Sequence, residues 1–162
     1  MRNFNMIVLG VDPGIARCGW GVIRREGQSF VSLDYGCIET HKDLDEGERL
    51  RLVRDGLAEV MKRFEIERVG VEKLFFSTNA KTAFQVGQAR GVIMLALHEA
   101  GLKPVECTPN EVKSAVCGYG SADKKQMQEM VRLTLKLAET PQPDDAADAL
   151  AIAITVSGQQ RY

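Results

Sequence analysis

Two apolar runs in this chain end on an acid, and a buried strand with a carboxylate at its tip needs something there to take the place of water. Met6-Ile7-Val8-Leu9-Gly10-Val11 leads into Asp12, and Val69-Gly70-Val71 leads into Glu72. Runs this short and this continuous read as strands covered on both faces. An acid at the end of such a strand loses hydration unless a cation or a hydrogen-bond donor compensates it. A further acidic group lies near the other end of the chain, in Asp144-Asp145-Ala146-Ala147-Asp148-Ala149-Leu150. Asp145 and Asp148 are three positions apart, so a helix through this segment projects both from one face.

The elements between these acids decide whether they can meet. Residues 6–12 read as a strand, broken by Pro13-Gly14, and Gly19-Trp20-Gly21-Val22-Ile23 pairs with it as a hairpin. Phe30 to Leu33 and Tyr35 to Ile38 suggest a third strand. Leu50, Val53, Leu57, Val60, Met61 and Phe64 recur at helical spacing, which predicts an amphipathic helix over 46–64. A strand over 67–72 follows, then a long helix from about Asn79 to Ala100 with Gly101 as its stop. Lys103 to Cys107 is a short strand. Thr108-Pro109-Asn110-Glu111 combines an N-cap, a proline at the first helical position and a capping-box acid, and opens a helix over 109–117. Gly118-Tyr119-Gly120-Ser121 is a joint, Met127, Met130, Val131, Thr134 and Leu137 mark another helix, and Pro141 and Pro143 precede a last helix over 144–157. A hairpin followed by β-α crossovers implies a mixed five-stranded sheet with helices on both faces, an α/β arrangement. This is the element order of the ribonuclease H-like fold, in which acids at the ends of adjacent strands and on the last helix come together. At 162 residues, the expectation is a single domain over 1–162.

Composition narrows the partners only slightly. Net charge is −1, but residues 73–136 hold nine Lys/Arg against five Asp/Glu, a balance of +4, so the remainder carries −5. The acidic excess includes the four candidate ligands, which a metal would neutralise; solvated helix faces explain such a split equally well. No apolar run approaches a membrane span, and Met1 to Asn5 carries no signal peptide. Cys18, Cys37, Cys107 and Cys117 show no CxxC spacing, which argues against zinc and for reduced thiols in a cytoplasmic protein.

Four acids without a zinc framework suit hard divalent ions that keep open water positions, Mg²⁺ or Mn²⁺. Two such ions can activate a water and stabilise a leaving 3′-oxygen. His41 and His98 fall in a loop and a helix away from the acids, so no Ser-His-Asp or Cys-His arrangement competes. Asp144 competes with Asp145, because it lies four residues from Asp148 and shares a face with it. As a residue that follows Pro143 at a helix start, it can instead cap the helix or interact with its dipole.

Gly10-Val11-Asp12-Pro13-Gly14, Gly19-Trp20-Gly21-Val22-Ile23, Val71-Glu72-Lys73-Leu74-Phe75, Asn79-Ala80 with Gly87-Gln88-Ala89-Arg90-Gly91, Val112-Lys113, Gly118-Tyr119-Gly120-Ser121-Ala122-Asp123-Lys124 and Asp145-Ala146-Ala147-Asp148-Ala149-Leu150-Ala151 follow one another in this order. Each is a weak signal; together and in this spacing the chain resembles the RuvC-type Holliday junction resolvases along nearly its whole length. The resemblance implies a homodimeric endonuclease that cuts four-way DNA junctions with Mg²⁺ by paired incisions in recombination and repair. It carries the family's catalytic, metal-binding tetrad onto Asp12, Glu72, Asp145 and Asp148, and leaves Asp144 to capping. It also implies the RuvAB branch-migration complex as a partner, and dimer contact through the helix 79–100, where Ala80, Ala83, Val86, Gly87, Ala89 and Val92 are small or apolar.

Phe75 and Phe76 follow Glu72 in a short loop, where paired aromatics either stack on an unpaired base or plug the loop from beneath. The resemblance favours Phe75 as the wedge. Lys113, Lys124 and Lys125 lie near helix starts or glycines and can hold phosphates; the resemblance puts phosphate contacts at Lys113 and Lys124. Arg17, Lys73, Lys81 and Arg90 are further DNA-contact candidates. The competing enzyme reading is another ribonuclease H-like nuclease, acting on RNA–DNA hybrid or RNA. An actin-like ATP-binding module would need a second half-domain that 162 residues cannot hold, and the complete tetrad argues against a junction-binding protein that does not cut.

Overall fold

The computed structural model describes residues 5–73 and 79–159. Its elements run β1 (Asn5–Asp12), β2 (Arg17–Glu26), β3 (Ser29–Glu39), α1 (Glu46–Arg63), β4 (Arg68–Glu72), α2 (Ala80–Glu99), β5 (Pro104–Cys107), α3 (Pro109–Cys117), α4 (Lys124–Thr134) and α5 (Asp144–Gly158). The sheet order is β3-β2-β1-β4-β5, with β2 antiparallel to β1 and to β3, and β4 parallel to β1 and to β5. The expected mixed five-stranded α/β sheet, of ribonuclease H-like type, is present.

Helices cover both faces. Leu9, Val11, Val22, Val69 and Val71 pack against Val53, Leu57, Ile93 and Leu97 of α1 and α2. Val8 and Ile23 pack on the other side with Val112, Val131, Leu150 and Ile152 of α3, α4 and α5. Successive side chains of a strand alternate between faces. With Leu9, Val11, Val69 and Val71 turned to α1 and α2, Asp12 and Glu72 turn to α5. The continuous apolar runs are therefore explained by burial on both sides of the sheet.

The helix starts are chemically marked. Asp45 and Asn79 cap α1 and α2, and Thr108–Glu111 and Asp123–Gln126 form capping boxes on α3 and α4. The expected third strand is present and runs on continuously through Asp34. The polar residue is tolerated because Arg63 pairs with its carboxylate at 2.8 Å, and the β2–β3 register shifts between Val22 and Ile23 to absorb the irregularity.

Helix α5 is buried almost throughout, from Ala146 to Ser157, between the sheet and α3 and α4. It lies directly on glycines. A Cβ added to Gly10 would stand 1.9 Å from the Ala149 carbonyl oxygen, one on Gly19 2.0 Å from that of Asp145, and one on Gly21 2.7 Å from the Leu150 side chain. Any larger residue at Gly10 or Gly19 would meet backbone, which cannot rotate away. At the far end of α5, Arg68 donates to the Val156 carbonyl at 2.8 Å and Arg25 donates to that of Ser157. Cations at the C-terminus and acids at the N-terminus both suit the helix dipole.

Candidate active site

Parallel pairing of β1 and β4 joins Val8 to Arg68 and Val11 to Val71, so Asp12 and Glu72 end their strands side by side. Across the hairpin, Asp12 pairs with Gly19, and Gly19 with Cys37. The first turn of α5 rests on Gly19, which brings Asp145, and Asp148 one turn on, over the same end of the sheet. All four acids named from the sequence thus converge on one region.

Their electrostatics carry the mark of that convergence. Burial, followed by repulsion from Glu72, Asp148 and Asp145, pushes the Asp12 carboxyl up to about 8. Burial and then Asp148 raise Glu72. Asp148 is raised by burial first; the Lys124 ammonium opposes this, and Asp145 and Asp144 add to it. Among the described residues no three acids close tightly enough to form a finished metal cage. The site instead fits a divalent cation by donor chemistry and charge. Its oxygen donors are hard, they repel one another, and a cation that keeps several of its waters needs no closed protein shell. A cleft lined by Glu72, Asp148, Lys113 and Lys124 opens beside the cluster.

Lys113 of α3 is half-buried in that cleft, and Lys124 begins α4 behind its cap Asp123. Lys125 faces a separate, mainly apolar groove with Cys117, Tyr119 and Met130. Arg17 is exposed and lies 3.8 Å from Asp145 and 3.9 Å from Glu39. Lys73 and Lys81 are exposed. Arg90 is mostly buried and ion-paired with Glu106. Phe75 and Phe76 lie outside the described residues.

The assignment of Asp144 to capping is corrected. Pro143 occupies the cap position of α5 with no side-chain capping bond, and Asp144 is the first helical residue. Its carboxylate is taken up elsewhere, by Lys124 Nζ at 2.9 Å and by Gln128 Nε2 at 3.1 Å.

Two neighbours of the site have no signal in the sequence. Cys37 sits beside Asp145, and burial, then Asp145 and Glu39, push its thiol up to about 11, so it is neutral. Buried Thr40 donates its hydroxyl to the Ile15 carbonyl at 2.5 Å, receives Arg49 Nε at 2.9 Å, and donates its amide to the Ala16 carbonyl at 3.0 Å. It ties down the loop that follows Asp12. Both contacts depend on long-range strand and helix placement, which no local pattern encodes.

Comparison with known proteins is consistent across sequence and structure. The model of the family described as crossover junction endodeoxyribonuclease RuvC matches residues 8–156. A crossover junction endodeoxyribonuclease RuvC from Chloroflexus aggregans is 53% identical over 149 residues, covering 92% of this chain and 91% of that protein. The Thermus thermophilus RuvC structure superposes with a TM-score of 0.87 at 38% identity, covering 94% of this chain and 93% of that one. T. thermophilus RuvC in complex with Holliday junction substrate superposes at 0.86 with 36% identity over the same shares.

Proposed function

The chain belongs to the RuvC family and is a metal-dependent endodeoxyribonuclease of crossover junctions, and from that membership we propose that Asp12, Glu72, Asp145 and Asp148 are its catalytic, metal-binding acids. The observation that carries this reading is the side-by-side ending of β1 and β4 on Asp12 and Glu72 beneath the first turn of α5. Two Mg²⁺ ions, replaceable by Mn²⁺, would be held by these acids and would supply Lewis-acid stabilisation at the phosphate and a more acidic attacking water. Glu72 and Asp148 also line the cleft, so cations held there would lie beside a phosphate entering it. Lys113 and Lys124 hold neighbouring phosphates, with Arg17, Lys73, Lys81, Lys125 and Arg90 as lesser contacts. Hydrolysis breaks the P–O3′ bond and leaves a 3′-hydroxyl and a 5′-phosphate. A synthetic four-way junction should be cut in Mg²⁺ and Mn²⁺, and more slowly in Ca²⁺, with an RNA–DNA hybrid duplex cut far less. Faster cutting of the hybrid would return the alternative substrate.

The phosphate contacts have their own test. Lys113→Ala and Lys124→Ala should each weaken junction binding and lower its salt slope by about one unit. Unchanged slope and affinity in both would make them ordinary solvated lysines.

The outer face of α2 supports a two-fold assembly. Phe84 is 68% exposed and Leu95 51%, and a Cβ added to Gly87 or Gly91 would meet nothing within 4 Å. These four residues fall along one helical stripe, whose glycines let a second backbone approach. The chain acts as a homodimer through this stripe, because two symmetric incisions in a near two-fold junction call for two sites related by a two-fold axis. Leu95→Glu should yield a monomer by sedimentation at micromolar concentration, with paired cutting lost. A wild-type monomer that still makes paired cuts would sink this arrangement. Phe75, with Phe76 beside it, is assigned the wedge that stacks on a base freed at the crossover. The partner is the RuvAB branch-migration complex, and the setting is the cytoplasm, a single nuclease domain working on DNA. Among the described residues no helix is long and apolar enough to cross a membrane.

A further inference from the structure

Asp144 has no part in the chemistry above, yet its carboxylate is held more firmly than that of an ordinary surface acid. Lys124 Nζ stands 2.9 Å from one oxygen and Gln128 Nε2 donates to the other at 3.1 Å. Lys124 and Gln128 are one turn apart on α4, so a single face of that helix grips the first residue of α5. Exposed ion pairs hold flexible partners loosely; here the second hydrogen bond, from a half-buried glutamine, fixes the carboxylate first.

The consequence lies with Lys124. It lines the cleft with Glu72 and Asp148 and is near enough to favour the charged forms of both Asp12 and Asp148. A lysine carries a compact charge on a flexible stem. Without Asp144, the charge of the neighbouring acids would draw its ammonium into the cluster as an internal counter-ion in the place of a metal. Asp144 offers a competing position on the solvent side, 47% exposed, where the ammonium keeps more of its water.

We propose that Asp144 is a positioning residue that draws Lys124 to the rim of the site and so keeps the acid cluster open to divalent cations. This rests on the reading of Asp12, Glu72, Asp145 and Asp148 as metal-binding acids. It assigns a role to a residue that touches neither the metal nor the scissile phosphate.

The test uses the full chain without DNA and reads Ca²⁺ and Mn²⁺ binding by calorimetry and by the shift in melting temperature. Asp144→Asn should raise the cation concentration at half-saturation about fivefold, by the arithmetic of a modest coupling between sites. Asp144→Glu, which keeps the charge and the reach, should stay within about twofold of the wild type. The deciding comparison is made in a Lys124→Gln background. There Asp144→Asn should change cation affinity less than about twofold, because no ammonium remains to be positioned. A fivefold loss that persists without Lys124 would mean that Asp144 acts only as one more negative charge, and the proposal would be overturned. An unchanged affinity in the wild-type background would overturn it as well. Failure of the underlying reading looks different: Asp148→Asn would then leave Ca²⁺ and Mn²⁺ binding intact, and the proposal would fall with it. Metal-free melting temperatures of each variant report whether the fold is preserved.

Discussion

Asp12→Asn, Glu72→Gln, Asp145→Asn and Asp148→Asn are each expected to reduce junction cutting by about three orders of magnitude or more, equivalent to ~4 kcal/mol of barrier, while junction binding stays nearly intact. On the proposed assignment, binding would rest on lysines against phosphates, whereas cutting would need every acid that holds the divalent cations. Asp144→Asn, by contrast, should cut at close to the wild-type rate once Mg²⁺ is saturating, because its carboxylate serves Lys124 and Gln128. The same series has a signature in stability. Asp12 is a buried acid whose carboxyl is pushed up to about 8 by desolvation and by three neighbouring acids. A carboxyl raised this way is mostly protonated at pH 7, and keeping that proton costs the folded state stability at any pH above about 4; asparagine carries no such cost, and one pKa unit corresponds to ~1.4 kcal/mol. At pH 7 the metal-free Asp12→Asn protein should therefore melt several degrees higher than the wild type, a gap that closes as the pH falls toward about 4, and it should lose most of any stabilisation that added Mg²⁺ gives the wild type. A tetrad variant that cuts at near the wild-type rate in Mg²⁺ would break the assignment. So would an Asp144→Asn protein as inactive as Asp145→Asn.

The second large effect is expected from a residue with no side chain. Gly19→Ala would place a methyl group 2.0 Å from the Asp145 carbonyl oxygen and 2.4 Å from its carbon. Both atoms are backbone, so the first turn of α5 must lift from the sheet. Forced overpacking of this kind costs roughly 1–3 kcal/mol of stability. The larger effect falls on activity, because α5 carries Asp145 and Asp148 at that end, and a misplacement of about 1 Å costs on the order of 10²-fold in rate. Gly70→Ala is the control. Its methyl presses on the Val156 side chain at 2.7 Å and on that of Ile152 at 2.9 Å, toward the other end of the helix. It should lower the melting temperature comparably and leave cutting within a few-fold of the wild type once the protein is folded. Equal cutting by the two variants at a temperature where both are folded would show that the seating of α5 does not set the site.

The strands ending on Asp12 and Glu72, the helices over 46–64, 79–100 and 109–117, and the one-face spacing of Asp145 and Asp148 were legible because each is a local pattern. Two-sided burial writes a strand as a continuous apolar run, and a helix buries every third or fourth residue. Capping boxes such as Thr108 to Glu111 mark a helix start within four positions. The meeting of the acids was legible too, since the element order admits few sheet topologies and the motifs resemble one family throughout.

What no local pattern could decide was which of two neighbouring aspartates lies beside the strand ends. Asp144 and Asp145 both share a helical face with Asp148, so spacing leaves them equal. Tertiary packing separates them: the α5 backbone at Asp145 lies on Gly19, next to Asp12, while Asp144 turns toward Lys124 and Gln128 of α4. Thr40 behind the Asp12 loop and Cys37 beside Asp145 were hidden for the same reason. Their neighbours are set by strand register and by the depth at which one helix rests on four glycines, Gly10, Gly19, Gly21 and Gly70. The amino-acid sequence determined which elements form and which acids they carry; the close approach of α5 to the sheet determined which of those acids face one another.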